Sequence, residues 1–185
     1  MRVITGLARG RKLKEPQGDA IRPTTDMIKE STFNIIQFSI EGRRVLDLFA
    51  GTGQMGIEAL SRGARSCVFV DESKAAEALI RENLKRSGLE GGKVLRGAAG
   101  SYVATCDKFD LIFVDPPYES GHLDQIIRKI EQFDILNENG IIVAESRSEK
   151  AMPEVTPPYE KGREYRYGKV KLTIYTRNVD ADELL

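Results

Sequence analysis

The chain has 185 residues, of which 41% are hydrophobic and 30% are charged, and its 28 basic and 28 acidic residues give a formal net charge of zero. This length suits one domain with a sizeable core, and the composition excludes the disordered and fibrous classes. The longest apolar runs are strand-sized, far short of the roughly 20 residues of a membrane helix. Residues 1–6 lack the features of a secretory signal, so we expect a cytoplasmic protein with reduced thiols at Cys67 and Cys106 and no metal site.

The chain begins with a basic segment and then alternates between short apolar strands and helices. Residues 1–14 contain two glycines and loosely alternating apolar positions, which predicts a short hairpin or an extended arm. Thr and Asp residues at 24–26 can cap a first helix that contains Met27 and Ile36. We predict strands at residues 44–49, 66–70, 93–96, 109–114 and 140–145 and a hairpin over 165–175, with helices at 54–62, 73–87, 100–106 and 122–133.

This alternation predicts an α/β fold with right-handed crossovers: a Rossmann-like, doubly wound and mostly parallel sheet with an antiparallel C-terminal hairpin. We expect one domain over residues 1–185, made of a basic arm at 1–22, a catalytic core at 23–177 and an acidic tail at 178–185. Ligands of such sheets bind beyond the carboxyl ends of the strands. The three motifs that carry chemistry follow predicted strands at those ends.

A glycine-rich turn joins the first strand to its helix in the run Asp47-Leu-Phe-Ala-Gly-Thr-Gly-Gln-Met-Gly56. Nicotinamide enzymes, flavin enzymes and methyltransferases all bind a nucleoside-bearing ligand at such a turn, and a turn without a ligand can also have this sequence. Asp47 would repel a pyrophosphate and attract an ammonium group such as that of a methionine moiety. Asp71 and Glu72 end the second strand, where a carboxylate can accept hydrogen bonds from ribose hydroxyls, and this feature does not separate the two classes of ligand.

The segment Asp115-Pro-Pro-Tyr118 follows the strand at 109–114 and is the most informative motif. Its two prolines stiffen the turn, so the Asp115 carboxylate and the Pro116 carbonyl can both accept hydrogen bonds from one amino group. Two such acceptors favour a pyramidal nitrogen whose lone pair can attack a methyl group, and Tyr118 offers a face for stacking of a base. A sulfonium donor is already activated, so alignment and charge acceptance are the main requirements. This pattern predicts methylation of an exocyclic amino group.

The combination of motifs resembles the RsmD family of ribosomal RNA guanine-N2 methyltransferases. The resemblance covers nearly the whole chain and is carried by five segments: Arg22-Pro-Thr-Thr-Asp26, Asp47-Leu-Phe-Ala-Gly-Thr-Gly53, Glu58-Ala-Leu-Ser-Arg-Gly-Ala64, Phe69-Val-Asp71 and Phe113-Val-Asp-Pro-Pro-Tyr118. It implies a class I methyltransferase fold, S-adenosyl-L-methionine as donor and a guanine of small-subunit (16S) ribosomal RNA as target, modified in an assembling or assembled subunit.

The motifs and the resemblance together assign candidate residues to three sites. The catalytic turn consists of Asp115, Pro116, Pro117 and Tyr118. The cofactor site takes residues at the strand ends, namely Asp47, Phe49, Ala50, Gly51, Thr52, Gly53, Asp71, Glu72, Ala98 and Ala99. The RNA contacts are basic residues of the arm, namely Arg9, Arg11, Lys12 and Arg22. Ala98 departs from the pattern of related methyltransferases, which usually carry an acidic residue there for the adenine amino group, and this departure predicts weaker cofactor binding.

Four other functions remain open on the sequence. A DNA amino methyltransferase usually needs an extra recognition region, for which 185 residues leave little room. A protein glutamine methyltransferase favours Asn where Asp115 stands, and a nicotinamide dehydrogenase has no use for the double-proline turn. A non-catalytic ribosomal RNA-binding assembly factor with a methyltransferase fold is supported only by Ala98.

Overall fold

A computed structural model describes residues 1–16, 24–118 and 121–179 of the chain. The chain divides into two compact units, Met1–Ala99 and Gly100–Leu185. Within the described ranges, no helix combines the length and the apolar character needed to cross a bilayer.

The first unit contains a parallel sheet with helices between its strands. Its elements are α1 (Asp26–Ile35), β1 (Arg44–Leu48), α2 (Gln54–Ser61), β2 (Ser66–Asp71), α3 (Lys74–Ser87) and β3 (Gly92–Arg96). The hydrogen-bonded order is β3-β2-β1, and both strand pairs are parallel. Val45, Leu46 and Phe69 of the strands and Ile57 and Ile80 of the helices are fully buried, so the apolar runs of the sequence form the core.

The second helix of this βαβ pattern, α3, has the ends that its sequence predicts. The Ser73 hydroxyl accepts a hydrogen bond from the N–H of Ala76, and Gly88 ends the helix in the left-handed region at φ 67°. A serine at the N-cap and a glycine after the last turn satisfy backbone groups that the helix leaves unpaired. These ends fix where the loops beside β2 and β3 begin.

The second unit contains one parallel strand pair followed by antiparallel strands. Its elements are β4 (Phe109–Val114), α5 (His122–Phe133), β5 (Leu136–Arg147), β6 (Tyr159–Tyr167) and β7 (Val170–Arg177), preceded by the short helix α4 (Ala99–Val103). The order is β4-β5-β7-β6, with β4 and β5 parallel and the other two pairs antiparallel. The predicted fold class is therefore confirmed: a mostly parallel α/β sheet with an antiparallel C-terminal hairpin.

The largest differences from the predicted elements lie in the second unit. β5 begins at Leu136, whereas the sequence predicted a start at residue 140. The first residues of the strand escape the pattern because Asn139, at φ 55°, and a register shift opposite Phe109–Leu111 interrupt the apolar alternation. β6 begins at Tyr159 rather than at residue 165. Among the described strands β6 pairs with β7 alone, and its residues are charged, Tyr or Gly, with Tyr159 as the one buried residue. It therefore lacks the apolar run by which strands are recognised.

Candidate functional site

The glycine-rich turn of the first unit has an unusual backbone. Phe49, Gly51 and Gly53 all lie in the left-handed region, at φ 59°, 52° and 75°. A Cβ atom added to Gly53 would lie 3.0 Å from Cγ2 of Ile80, so a side chain there would be both strained and crowded. The N–H of Ala50 donates to the carbonyl of Val70 at 3.1 Å, which attaches the turn to β2.

Asp47, in β1, is buried beneath this turn. Its side chain is 3% exposed, and Oδ2 accepts a hydrogen bond of 2.9 Å from the N–H of Gly56 in the first turn of α2. Burial raises the pKa of Asp47 to about 7; the Gly56 hydrogen bond lowers the pKa, and the negative charge of Asp71 raises it further. The carboxylate therefore stabilises the start of α2, a contact that the sequence prediction of a ligand-facing Asp47 did not include.

Asp71 connects the turn to the loop after β2. Oδ2 accepts from the N–H of Gly51 at 2.9 Å, and Oδ1 accepts from the N–H of Ser73 at 2.9 Å. Glu72 beside it is exposed. The structure thus brings three predicted cofactor residues of the first unit, Asp47, Gly51 and Asp71, to adjacent strand ends.

The predicted adenine position follows β3. The N–H of Gly97 donates to the carbonyl of Asp71 at 3.0 Å, so this segment is attached to the end of β2. Ala98 is exposed and Ala99, which begins α4, is buried. The methyl side chain of Ala98 leaves backbone groups as the hydrogen-bonding atoms that this position can offer.

The basic N-terminal arm forms the predicted hairpin. Arg2 and Lys12 make an antiparallel bridge, and the N–H of Val3 donates to the carbonyl of Arg11 at 3.0 Å. Val3, Ala8 and Leu13 are buried, whereas the proposed RNA contacts are exposed, namely Arg9, Arg11 and Lys12. Arg22 lies outside the described residues, so its predicted RNA contact stays a prediction.

Three buried polar residues of α2 and α3 hold this arm in place. Glu58, which is fully buried, accepts hydrogen bonds from the N–H groups of Ile4 and Thr5 at 2.8 and 3.0 Å. Ser61 donates to the carbonyl of Thr5 at 2.6 Å. Asn83 bonds both backbone groups of Lys14 and also donates to the carbonyl of Thr52 in the glycine turn at 2.9 Å. Glu58 and Ser61 belong to the segment Glu58–Ala64 that supported the family resemblance, but the sequence alone did not indicate that they bind the arm.

The Asp-Pro-Pro-Tyr turn of the second unit follows β4 directly. Asp115 is half-buried, Pro116 is buried and Pro117 is exposed. The hydroxyl of Tyr118 donates a hydrogen bond of 2.7 Å to Oε1 of Glu145 in β5. The turn is therefore attached by its last residue to the neighbouring parallel strand.

A pocket of about 200 Å³ lies beside this turn. Pro116, Pro117 and Tyr118 form part of its lining, and β5 contributes Glu145 and Arg147. The Arg147 guanidinium lies 5.6 Å from the centre of the Tyr118 ring, within the range of a cation–π contact. Neither β5 residue is indicated by the local sequence, because each reaches the site through a contact with Tyr118, which lies 27 residues before Glu145 in the chain.

Comparison with known proteins gives matches over nearly the full length. The family model described as Conserved hypothetical protein 95 matches residues 1–176. The Bacillus subtilis protein YlbH is 41% identical over 182 residues, which cover 96% of this chain and 99% of that protein. Ribosomal RNA small subunit methyltransferase D of Escherichia coli is 33% identical over 183 residues, covering 98% of this chain and 92% of that protein. The solved structure of Escherichia coli yhhF has a TM-score of 0.86 at 34% identity and covers 96% of this chain and 98% of that chain.

Proposed function

Because this chain belongs to the family of ribosomal RNA small subunit methyltransferase D, we propose that it methylates the exocyclic N2 of a guanine in small-subunit ribosomal RNA, with S-adenosyl-L-methionine as donor. The observation that carries the proposal is the double-proline turn after β4, whose Tyr118 is fixed to Glu145 at the wall of a pocket. An assembling or assembled small subunit is the proposed substrate. A ribonucleoprotein offers shape and protein contacts, which suits a protein whose net charge is zero.

The residues of the first unit fit S-adenosyl-L-methionine better than a dinucleotide. The glycine turn keeps side chains away from a ligand, and the acidic groups Asp47 and Asp71 at its base suit a cationic ligand rather than a pyrophosphate. In the proposed complex Asp47 would hold the methionine ammonium, and Asp71 with Glu72 would accept hydrogen bonds from the ribose hydroxyls. The cofactor supplies a methyl group whose bond to the sulfonium sulfur breaks as its bond to nitrogen forms, which leaves a neutral thioether.

The double-proline turn has the chemistry that an amino nitrogen requires. The Asp115 carboxylate and the Pro116 carbonyl accept hydrogen bonds from the two amino hydrogens, so the nitrogen lone pair is directed toward the methyl group. The nitrogen gains positive charge as the new bond forms, and the Asp115 carboxylate stabilises that charge and can accept the proton that nitrogen loses. The Tyr118 ring, held by Glu145, provides the surface on which the base stacks.

The exposed basic residues of the arm are the proposed RNA contacts. Arg9, Arg11 and Lys12 lie on a hairpin whose apolar side is anchored to the first unit, so their charges are presented to solvent on a fixed support. Fixed basic residues bind phosphates at a smaller entropic cost than those of a mobile tail.

The cofactor assignment predicts a specific thermal shift. S-adenosylhomocysteine at 100 times its dissociation constant is expected to stabilise the folded state by about 2.7 kcal/mol, because a ligand that binds only the native state shifts the unfolding equilibrium. For a chain of this size that corresponds to a rise in Tm of roughly 5 to 10 °C by differential scanning fluorimetry. NAD at the same concentration is the control; a shift with NAD and none with S-adenosylhomocysteine would contradict the assignment.

The raised pKa of Asp47 predicts that ligand binding depends on pH. The folded protein takes up a proton on Asp47 as the pH falls through about 7, and this protonation removes the charge that holds the ligand ammonium. The dissociation constant of S-adenosylhomocysteine is therefore expected to fall about tenfold between pH 6 and pH 8. Stability of the ligand-free protein should change in the opposite direction, because a raised carboxyl pKa makes this group less favourable to folding as the pH rises from about 4 to about 7.

Isothermal titration across this range tests the assignment of Asp47. The Asp47→Asn variant keeps an oxygen acceptor for Gly56 but does not titrate, so its affinity should be weaker and independent of pH. Equal pH dependence in the variant and the parent protein would show that another group is responsible.

The proposed function is tested by transfer of labelled methyl groups to three substrates in parallel: unmodified small subunits, naked ribosomal RNA and DNA. We expect transfer to small subunits, with N2-methylguanosine as the product nucleoside after complete digestion. Transfer to DNA alone, or to a glutamine of a ribosomal protein, would replace the proposal by one of the alternatives. Absence of transfer to every substrate by a protein that binds S-adenosylhomocysteine would favour the non-catalytic assembly factor.

A further inference from the structure

The pocket beside the catalytic turn contains a carboxylate that methyl transfer itself does not require. Glu145 lies in β5, two residues before Arg147, so the two side chains leave the strand on the same face. Both contact Tyr118: Glu145 accepts a hydrogen bond of 2.7 Å from its hydroxyl, and the Arg147 guanidinium lies 5.6 Å from its ring centre. The phenol hydrogen bond holds the Glu145 carboxylate at the pocket wall, adjacent to the proposed stacking surface for the base.

Glu145 lines the same pocket as Pro116 and Tyr118 of the turn, and a carboxylate in that pocket has a consequence for base selection. Three nucleobases carry an exocyclic amine. In guanine one of the two ring nitrogens next to the amine, N1, carries a hydrogen and is a donor. In adenine and cytosine a single ring nitrogen lies next to the amine, and it is an acceptor. An ionised carboxylate only accepts hydrogen bonds. It therefore stabilises guanine and repels the ring lone pair of the other two bases.

We propose that Glu145 is the residue that selects guanine, by accepting a hydrogen bond from N1–H of the base whose N2 is held at Asp115. This inference rests on the proposed function. The Tyr118 hydroxyl orients the carboxylate and uses one of its lone pairs; a carboxylate has about four acceptor sites, so the same group can also accept from the base. Tyr118 thus has two functions, as a stacking surface and as a positioning group for Glu145.

The test exchanges the donor and acceptor roles in the proposed hydrogen bond between residue 145 and the base. Glu145→Gln keeps an oxygen that accepts from Tyr118, but its amide can also donate. The modified substrate is a small subunit reconstituted with ribosomal RNA that carries 2-aminopurine at the target position, which keeps the 2-amino group and has an acceptor at N1. For the variant, kcat/KM with guanine is expected to fall about 10- to 100-fold, and kcat/KM with 2-aminopurine is expected to rise relative to the parent protein.

A merely structural role of Glu145 gives a different result. If it serves only to position Tyr118, Glu145→Gln should lower both values of kcat/KM by the same factor, and the inference is wrong. Glu90→Gln, which removes an exposed charge in the first unit, is the matched control and should change neither value. The thermal shift with S-adenosylhomocysteine checks that each variant is folded.

If the variant does not fold, the base preference of the parent protein tests the inference independently. Selection by Glu145 requires that the parent prefer guanine over 2-aminopurine by at least about tenfold; equal use of both bases overturns the inference and leaves the proposed function intact. A parent protein that methylates no guanine overturns both. The two failures are therefore distinguishable in one set of assays.

Discussion

Replacement of Asp115 by Ala is expected to lower kcat for methyl transfer at least roughly 1,000-fold, because the substitution removes both an acceptor for the amino hydrogens and the charge that stabilises the nitrogen as it becomes positive. The affinity for S-adenosylhomocysteine should stay within about threefold of the parent value, since the proposed ligand contacts belong to the glycine turn and Asp71. Single-turnover transfer to unmodified small subunits measures the rate, and isothermal titration measures the affinity.

Asp115→Asn is the matched variant for this experiment. It keeps the size of the side chain and one oxygen acceptor but loses the negative charge, so we expect an intermediate loss of about 10- to 100-fold. If Asp115→Ala transferred methyl groups as fast as the parent protein, the role assigned to the carboxylate would be refuted. A loss of activity accompanied by a loss of ligand binding would instead indicate that the substitution disrupts the fold.

The parts of the site that the sequence predicted are those whose chemistry is local in the chain. The glycine turn and the Asp-Pro-Pro-Tyr turn each consist of consecutive residues after an apolar strand, and the strand order of an α/β sheet brings strand ends to one edge. The left-handed φ values of Gly51 and Gly53 agree with the need for glycine in that turn. The fold class was predictable for the same reason, because alternation of strands and helices is a property of neighbouring segments.

The parts that the sequence did not predict depend on partners that are distant in the chain. Tyr118 and Glu145 are 27 residues apart, and Asn83 and Lys14 are 69 residues apart. Nothing in the local pattern distinguishes the buried Glu58 from an exposed glutamate of an amphipathic helix, because its partners are backbone N–H groups that any sequence provides. The start of β5 was missed for a different reason, since an interrupted register hides the apolar alternation.

The buried polar residues suggest why the arm is part of the folded unit rather than a flexible tail. Lys29 is fully buried and donates to the carbonyl of Arg2 at 2.6 Å, and burial lowers its pKa. Glu58 accepts from two arm N–H groups and pairs with Arg62 at 2.9 Å. Leaving such groups buried without these partners would cost about 1 to 3 kcal/mol each. The arm therefore supplies hydrogen-bond partners to the buried polar side chains of the helices. The helices in turn hold in place the basic residues that we propose as RNA contacts.

Two glycines of the arm allow this coupling to be tested with one substitution at two positions. Gly6 and Gly10 both have positive φ, 88° and 81°, but an added Cβ at Gly6 would lie 1.8 Å from the carbonyl oxygen of Ser61, whereas at Gly10 it would meet nothing within 4 Å.

Gly10→Ala is expected to cost only the backbone strain, about 1 kcal/mol in the free energy of unfolding, with transfer to small subunits preserved. Gly6→Ala must displace the arm from α2 and break the hydrogen bond from Leu7 N–H to Ser61, so we expect a loss of about 2 to 4 kcal/mol and a KM for small subunits raised more than about tenfold. Urea unfolding measures the free energy, and steady-state methyl transfer measures KM. Equal KM values for both variants would show that RNA binding does not depend on the docked arm.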